Sequence, residues 1–109
     1  IRGPIPVTGQ MEAGEIQTEY ERNTGLAIVR RFATLDPLEI PAVLVAGHAP
    51  FCWGPAPSVA AHTAVVVEEL AHLAYLTLTI NAQAALLPDV LRDKHFLRKH
   101  GSQAYYGQP

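Results

Sequence analysis

An apolar run, Pro41-Ala42-Val43-Leu44-Val45-Ala46, enters a small-residue turn and leaves through Phe51-Cys52-Trp53-Gly54. β-Branched and aliphatic residues at Val43 to Val45 predict a strand, with Pro41 suited to its start. Phe51 to Trp53 predict a second, stopped by Gly54-Pro55. Between them Gly47 lets the backbone reverse, and Pro50 fixes its own φ while pushing Ala49 towards extended geometry. This pattern holds His48 at the mouth of a strand-turn-strand.

Upstream, two prolines and alternating apolar residues predict an edge strand at Ile5 to Thr8, broken by Gly9-Gln10. From about Glu12 to Phe32 the spacing turns helical, with Ile16, Tyr20, Ala27 and Phe32 approximating one face. Glu12 and Glu15 complement the helix dipole at its start, and Arg30 and Arg31 at its end. Gly25 costs about 1 kcal/mol against alanine there, which predicts any bend at that position. Leu35 to Glu39 read as a loop.

Downstream, Ser58 is a good N-cap, and Val59 to about Ile80 is almost wholly apolar, interrupted by His62, Thr63, Glu68, Glu69 and His72. Each central acid costs roughly 2.5–3.5 kcal/mol on membrane-insertion scales, so the expectation is a helix buried between a sheet and partner chains. Leu76 to Ile80 alternates like a strand and leaves the helix end open. Asn81 to Leu87 form a link. Pro88-Asp89 open a last helix, with Pro at N1, that runs to about His100 with Gly101 at C′.

These elements predict one incomplete domain over residues 1–109, of layered α/β class. Three short strands and a nearly all-apolar helix cannot cover one another, so further partners must come from another segment or subunit. Apolar residues make up 49% of the 109, enough for a core. A formal net charge of −2 offers no global attraction for nucleic acid or an anionic membrane. The lone Cys52 excludes an internal disulfide and fits a reducing, cytoplasmic setting. It lies between Phe51 and Trp53, as a small hydrophobe would. The chain opens without methionine or a signal-peptide pattern, which reads as a processed chain or a piece of something longer.

Two readings stand at His48: a metal ligand displayed by the turn, or a turn histidine bonded to backbone. Zinc needs three or four ligands, and no His-x-His or Cys-x-x-Cys occurs. Glu69-x-x-His72 has the spacing of helical di-iron sites, but those need two such motifs. It reads instead as a helix pair or a partner-facing surface, and His62 as a helix histidine. In Asp93 to His100, His95 and Arg98 are three apart on one helix face. That face suits phosphate binding or proton transfer, or a solvated helix end.

The segments His48-Ala49-Pro50-Phe51-Cys52-Trp53-Gly54, Val66-Val67-Glu68-Glu69, Lys94-His95-Phe96-Leu97-Arg98-Lys99-His100-Gly101 and Tyr105-Tyr106-Gly107-Gln108 together resemble the L-ribulose-5-phosphate 4-epimerases. So do Glu15-Ile16, Glu19-Tyr20-Glu21 and Thr24-Gly25. These enzymes are a branch of the class II aldolase and adducin superfamily. The resemblance implies the C-terminal part of a three-layer α/β/α domain with a central mixed, mainly antiparallel sheet. It implies zinc or another divalent metal bound to a sugar-phosphate substrate, retro-aldol cleavage of C3–C4, and re-addition that inverts C4 of L-ribulose 5-phosphate to D-xylulose 5-phosphate. It also implies a homotetramer with active sites between subunits.

Residue by residue, the resemblance implies His48 as the third metal histidine and Tyr106 as an acid/base supplied to a neighbouring subunit. His95 matches a histidine near that site, Arg98 an adjacent basic residue at the substrate, and Glu21 an acidic residue on the preceding helix. The family's His-x-His pair, phosphate loops and catalytic aspartate belong upstream of Ile1, and its frequent histidine two before the metal ligand is Ala46 here. The expectation is a chain inactive alone, the C-terminal segment of a longer enzyme. Another sugar-phosphate aldolase of the superfamily would differ in the Tyr105 to Gln108 tail. A non-catalytic module, as in the adducin branch, would lack the metal ligand at His48. A small, independently folded binding protein is the remaining alternative.

Overall fold

A computed structural model describes residues 1–105. Its elements in order are α1 (Ala13–Gln17), α2 (Tyr20–Arg31), β1 (Ala42–Leu44), β2 (Pro50–Cys52), α3 (Pro57–Ile80) and α4 (Asp89–His100). β1 and β2 form an antiparallel hairpin in the register Ala42↔Cys52, Val43↔Phe51, Leu44↔Pro50. Both strands begin one residue earlier than the apolar pattern suggests.

The predicted edge strand at Ile5 to Thr8 reduces to a single parallel bridge, Val7↔Leu44. Thr8 N–H donates to the Leu44 carbonyl at 2.9 Å, and Leu44 N–H to the Pro6 carbonyl at 2.9 Å. Pro4 and Pro6 carry no N–H, so the segment cannot extend the ladder further. The Thr8 hydroxyl compensates by accepting the Ala46 N–H at 3.0 Å.

The expected single helix from Glu12 to Phe32 is two. It breaks at Thr18-Glu19, where Thr18 adopts φ −107°, ψ −111°, and Gly25 lies inside α2. Side-chain competition for backbone groups explains the break. The Thr18 hydroxyl donates to the Gly14 carbonyl at 2.8 Å, and Asn23 Nδ2 to the Glu15 carbonyl at 2.8 Å. These bonds satisfy carbonyls that α1 would otherwise orphan.

α3 begins at Pro57, with Ala56 as its N-cap. Ser58 is therefore not the cap: proline's fixed φ suits the first turn and sets the start earlier. The alternating Leu76 to Ile80 segment is helical. In α4 Pro88 is the N-cap itself, and Gly101 caps the other end at φ −75°, not in the left-handed geometry expected of C′. Gly101 is needed for close approach: a Cβ there would lie 2.5 Å from the Leu97 oxygen.

α3 packs on both strands, yet of its side chains only Thr63 and Val67 are buried. Leu73, Tyr75, Leu78 and Ile80 are exposed, so the expected buried helix is uncovered here. By length and composition it could cross a membrane, although Glu68 and Glu69 stand at its middle. The core is correspondingly small: Ala27, Ile40, Ala42, Val43, Val45 and Val67, centred on Val43. The radius of gyration, 16.2 Å, exceeds the roughly 13 Å of a compact chain this long. Much of the apolar surface therefore has no partner among the described residues.

Candidate active site

His48 N–H donates to the Val45 carbonyl at 3.0 Å, closing a four-residue turn, and Val45 N–H bonds the Ala49 carbonyl at 3.1 Å. Gly47, third in that turn, takes φ +71°, the region in which a type II turn demands glycine. The turn is thus held by its own backbone, and it holds His48 out of the core, exposed.

Two aromatic rings border the imidazole. Tyr20, the first residue of α2, meets it edge-on at 6.2 Å between centroids, and Phe51 lies at 5.8 Å. Farther along, Trp53 meets Phe32 edge-on at 5.3 Å and donates its indole N–H to the Pro37 carbonyl at 2.8 Å. Aromatic pairs therefore bridge the hairpin to α2 at both ends of that helix. Glu21 follows Tyr20 in the first turn of α2 and is exposed.

An exposed imidazole on a rigid turn, flanked by rings that restrict its rotation, suits a metal ligand. It offers one donor. Among the described residues no group of three or more His, Cys, Asp or Glu side chains could hold a metal ion. Glu69-x-x-His72 is a loose i,i+3 pair at 4.0 Å on the exposed face of α3. Burial pushes the Cys52 thiol up, which keeps it protonated and unreactive.

His95 and Arg98 lie on α4, His95 exposed and Arg98 half-buried. His95 lines an open cleft of about 350 Å³ with Ile1, Arg92, Phe96, Lys99 and His100. The chain beyond α4 folds back: Ala104 N–H bonds the Gly101 carbonyl, and Tyr105 N–H the Arg98 carbonyl at 3.1 Å. Tyr106 lies outside the described residues. The fold thus brings Tyr20 to His48, with Glu21 next to Tyr20 only in sequence, and keeps His95 and Arg98 on one helix. It does not pack α4 extensively on the hairpin or on α2.

Residue-type reasoning missed two contributors. Tyr20 reads as a core-facing helical position, yet its ring meets His48. Arg2, in the Ile1-Arg2-Gly3-Pro4 opening, ties α4 to the rest. Its guanidinium reaches Asp93 Oδ1 at 3.2 Å and Glu39 Oε1 at 2.8 Å, and its Cζ lies 5.4 Å above the Phe96 ring. Arg92 adds contacts to Asp93 at 3.2 Å and Asp89 at 2.7 Å. No local pattern announces a pair 91 residues apart.

The hydrogen bond from Arg2, aided by Arg92 against a desolvation that opposes it, holds the Asp93 carboxyl below its usual range. A carboxylate depressed in the folded state favours that state above its ordinary pKa of about 3.9. The contribution is lost as pH falls through the depressed value. In the full-length protein, α4 amides should lose exchange protection below about pH 4, after correction for intrinsic rates. Asp93→Asn should remove that transition, and its survival in the variant would assign it to another group.

Residues 1–75 match the class II aldolase and adducin N-terminal domain. The chain is also 44% identical, over 106 residues, to the L-ribulose-5-phosphate 4-epimerase UlaF of Salmonella paratyphi B. That alignment covers 97% of this chain and 46% of the relative. The chain therefore spans about half the length of the curated relative it matches.

Proposed function

This chain belongs to the class II aldolase and adducin family, and from that membership we propose that it is the C-terminal part of a metal-dependent epimerase. Its reaction inverts C4 of L-ribulose 5-phosphate to give D-xylulose 5-phosphate. The observation that carries this reading is the 44% identity over 97% of the chain to a protein named for that activity. The exposed His48 turn supports it with a residue suited to the chemistry.

A bound divalent cation, zinc or another, would supply Lewis-acid stabilisation of negative charge developing on the substrate oxygens. The chain's own residues have narrower tasks. His48 would hold the cation through one ring nitrogen, with Tyr20 and Phe51 bordering the imidazole. Tyr106 exchanges a proton with the C4 hydroxyl, whose oxygen alternates between alcohol and aldehyde as C3–C4 breaks and re-forms. His95 and Arg98 lie near that tyrosine in sequence and offer hydrogen-bond donors to the anionic substrate. Glu21, next to Tyr20 on α2, supplies an acid in this reading.

In this reading the full-length enzyme is a homotetramer in which the His48 turn of one subunit meets the α4 end of its neighbour. The exposed face of α3 would then lie against protein, in the three-layer α/β/α domain of the full-length enzyme, and not in a membrane. Neither nucleic acid nor lipid is a partner in this reading, and the enzyme works in the cytoplasm.

Incubating the full-length protein with L-ribulose 5-phosphate should yield D-xylulose 5-phosphate, followed by NMR. Chelation should abolish turnover, and zinc or another divalent cation should restore it. An untouched substrate would refute the epimerase reading. Release of glycolaldehyde phosphate and dihydroxyacetone with no D-xylulose 5-phosphate would favour an aldolase of the same family.

A further inference from the structure

Arg2 is the junction through which α4 meets the rest of the described chain. α4 packs on no strand and on no other helix extensively. The guanidinium fills that gap with three unlike contacts: Asp93 on α4 at 3.2 Å, Glu39 in the segment entering β1 at 2.8 Å, and the face of Phe96 on α4 at 5.4 Å. Glu39 precedes the buried Ile40 by one residue and β1 by three. The clamp therefore joins α4 to the same strand that leads into the His48 turn. His95 sits between the two α4 contacts in sequence, two residues after Asp93 and one before Phe96, and Arg98 follows Phe96 by two.

The geometry is specific to arginine. A planar fork donates to two carboxylates while its face lies on an aromatic ring. Lysine offers a point charge and cannot make all three contacts at once. Asp93 is in turn shared with Arg92, which also holds Asp89, so the network runs along α4 as well as across to the hairpin.

We infer that Arg2 is a positioning residue for the reaction, fixing α4, and with it His95 and Arg98, relative to the β1 segment. The inference rests on the epimerase reading above. It assigns Arg2 no contact with substrate.

The test uses the full-length enzyme, with Arg2→Gln, Arg2→Lys and Asp93→Asn variants and the Arg2→Gln/Asp93→Asn double variant. Amide exchange of α4, metal content, kcat and KM are measured for each. Arg2→Gln should speed α4 exchange about tenfold, with the β1–β2 hairpin unchanged, as expected for local loosening. It should lower kcat/KM by about tenfold or more, with kcat itself reduced and metal content held, as expected when His95 and Arg98 are misplaced together. Arg2→Lys should recover only part of both. The double variant should be little worse than the poorer single one, because both remove the same link.

Unchanged α4 exchange in Arg2→Gln would overturn the clamp. Faster α4 exchange with an unchanged kcat would overturn its role in the reaction. A wild-type enzyme with no epimerase activity would defeat the functional reading alone and leave the exchange comparison to stand by itself.

Discussion

His48→Asn in the full-length enzyme is expected to lower metal content and to cut turnover by roughly a thousandfold, the loss typical of removing stabilisation of a developing oxyanion. Asparagine keeps a polar side chain in the turn, and Gly47 at φ +71° still sets the backbone. The fold should survive, since His48 is exposed and contributes no core volume. Circular dichroism and the melting temperature should stay near wild type. Metal analysis after dialysis against a weak chelator provides the decisive reading. Full metal stoichiometry in His48→Asn would return His48 to the role of a turn residue bonded through its backbone.

The second large effect is expected at Tyr106. Tyr106→Phe should reduce kcat by about 10²–10⁴-fold, the range for removing a general acid/base, with metal content unchanged. The substitution deletes one hydroxyl and keeps the ring. If the tyrosine comes from a neighbouring subunit, mixed oligomers of Tyr106→Phe and His48→Asn chains should regain part of the activity, because some sites then hold both native residues. Full activity of the single Tyr106→Phe variant would remove the hydroxyl from the reaction.

Much of this arrangement could be read from residue types. The β1–β2 hairpin follows from Val43 to Val45, Gly47 and Pro50, each of which restricts the backbone locally, and the exposed His48 follows from them. α3 and α4 were legible for a similar reason: long runs without an internal breaker, opened at Pro57 and Pro88, with Gly101 closing α4 while the alternating end of α3 gave no such stop. The role proposed for His48 rests on resemblance, since one imidazole on a turn has two readings that residue types alone leave open.

What could not be read was set by contacts between distant residues. The break at Thr18 depends on a hydroxyl and an amide that bond carbonyls of the preceding turn, where Gly25 was the more obvious weak point. The Tyr20–His48 contact needs the fold to bring the start of α2 to the hairpin. The Arg2–Asp93 pair spans almost the whole chain. The extent of α3 left uncovered also follows from tertiary structure, because an apolar pattern records what a helix can bury and not which segment covers it.

The central claim is that the β1–β2 turn presents His48 as a ligand to a metal whose other ligands come from outside these residues. Anomalous diffraction from crystals of the zinc-loaded, full-length enzyme tests it most directly. The account predicts a metal peak with a His48 ring nitrogen at about 2.0–2.1 Å, the usual zinc–imidazole distance. A metal bound elsewhere, with the His48 ring turned away from it, would contradict the account.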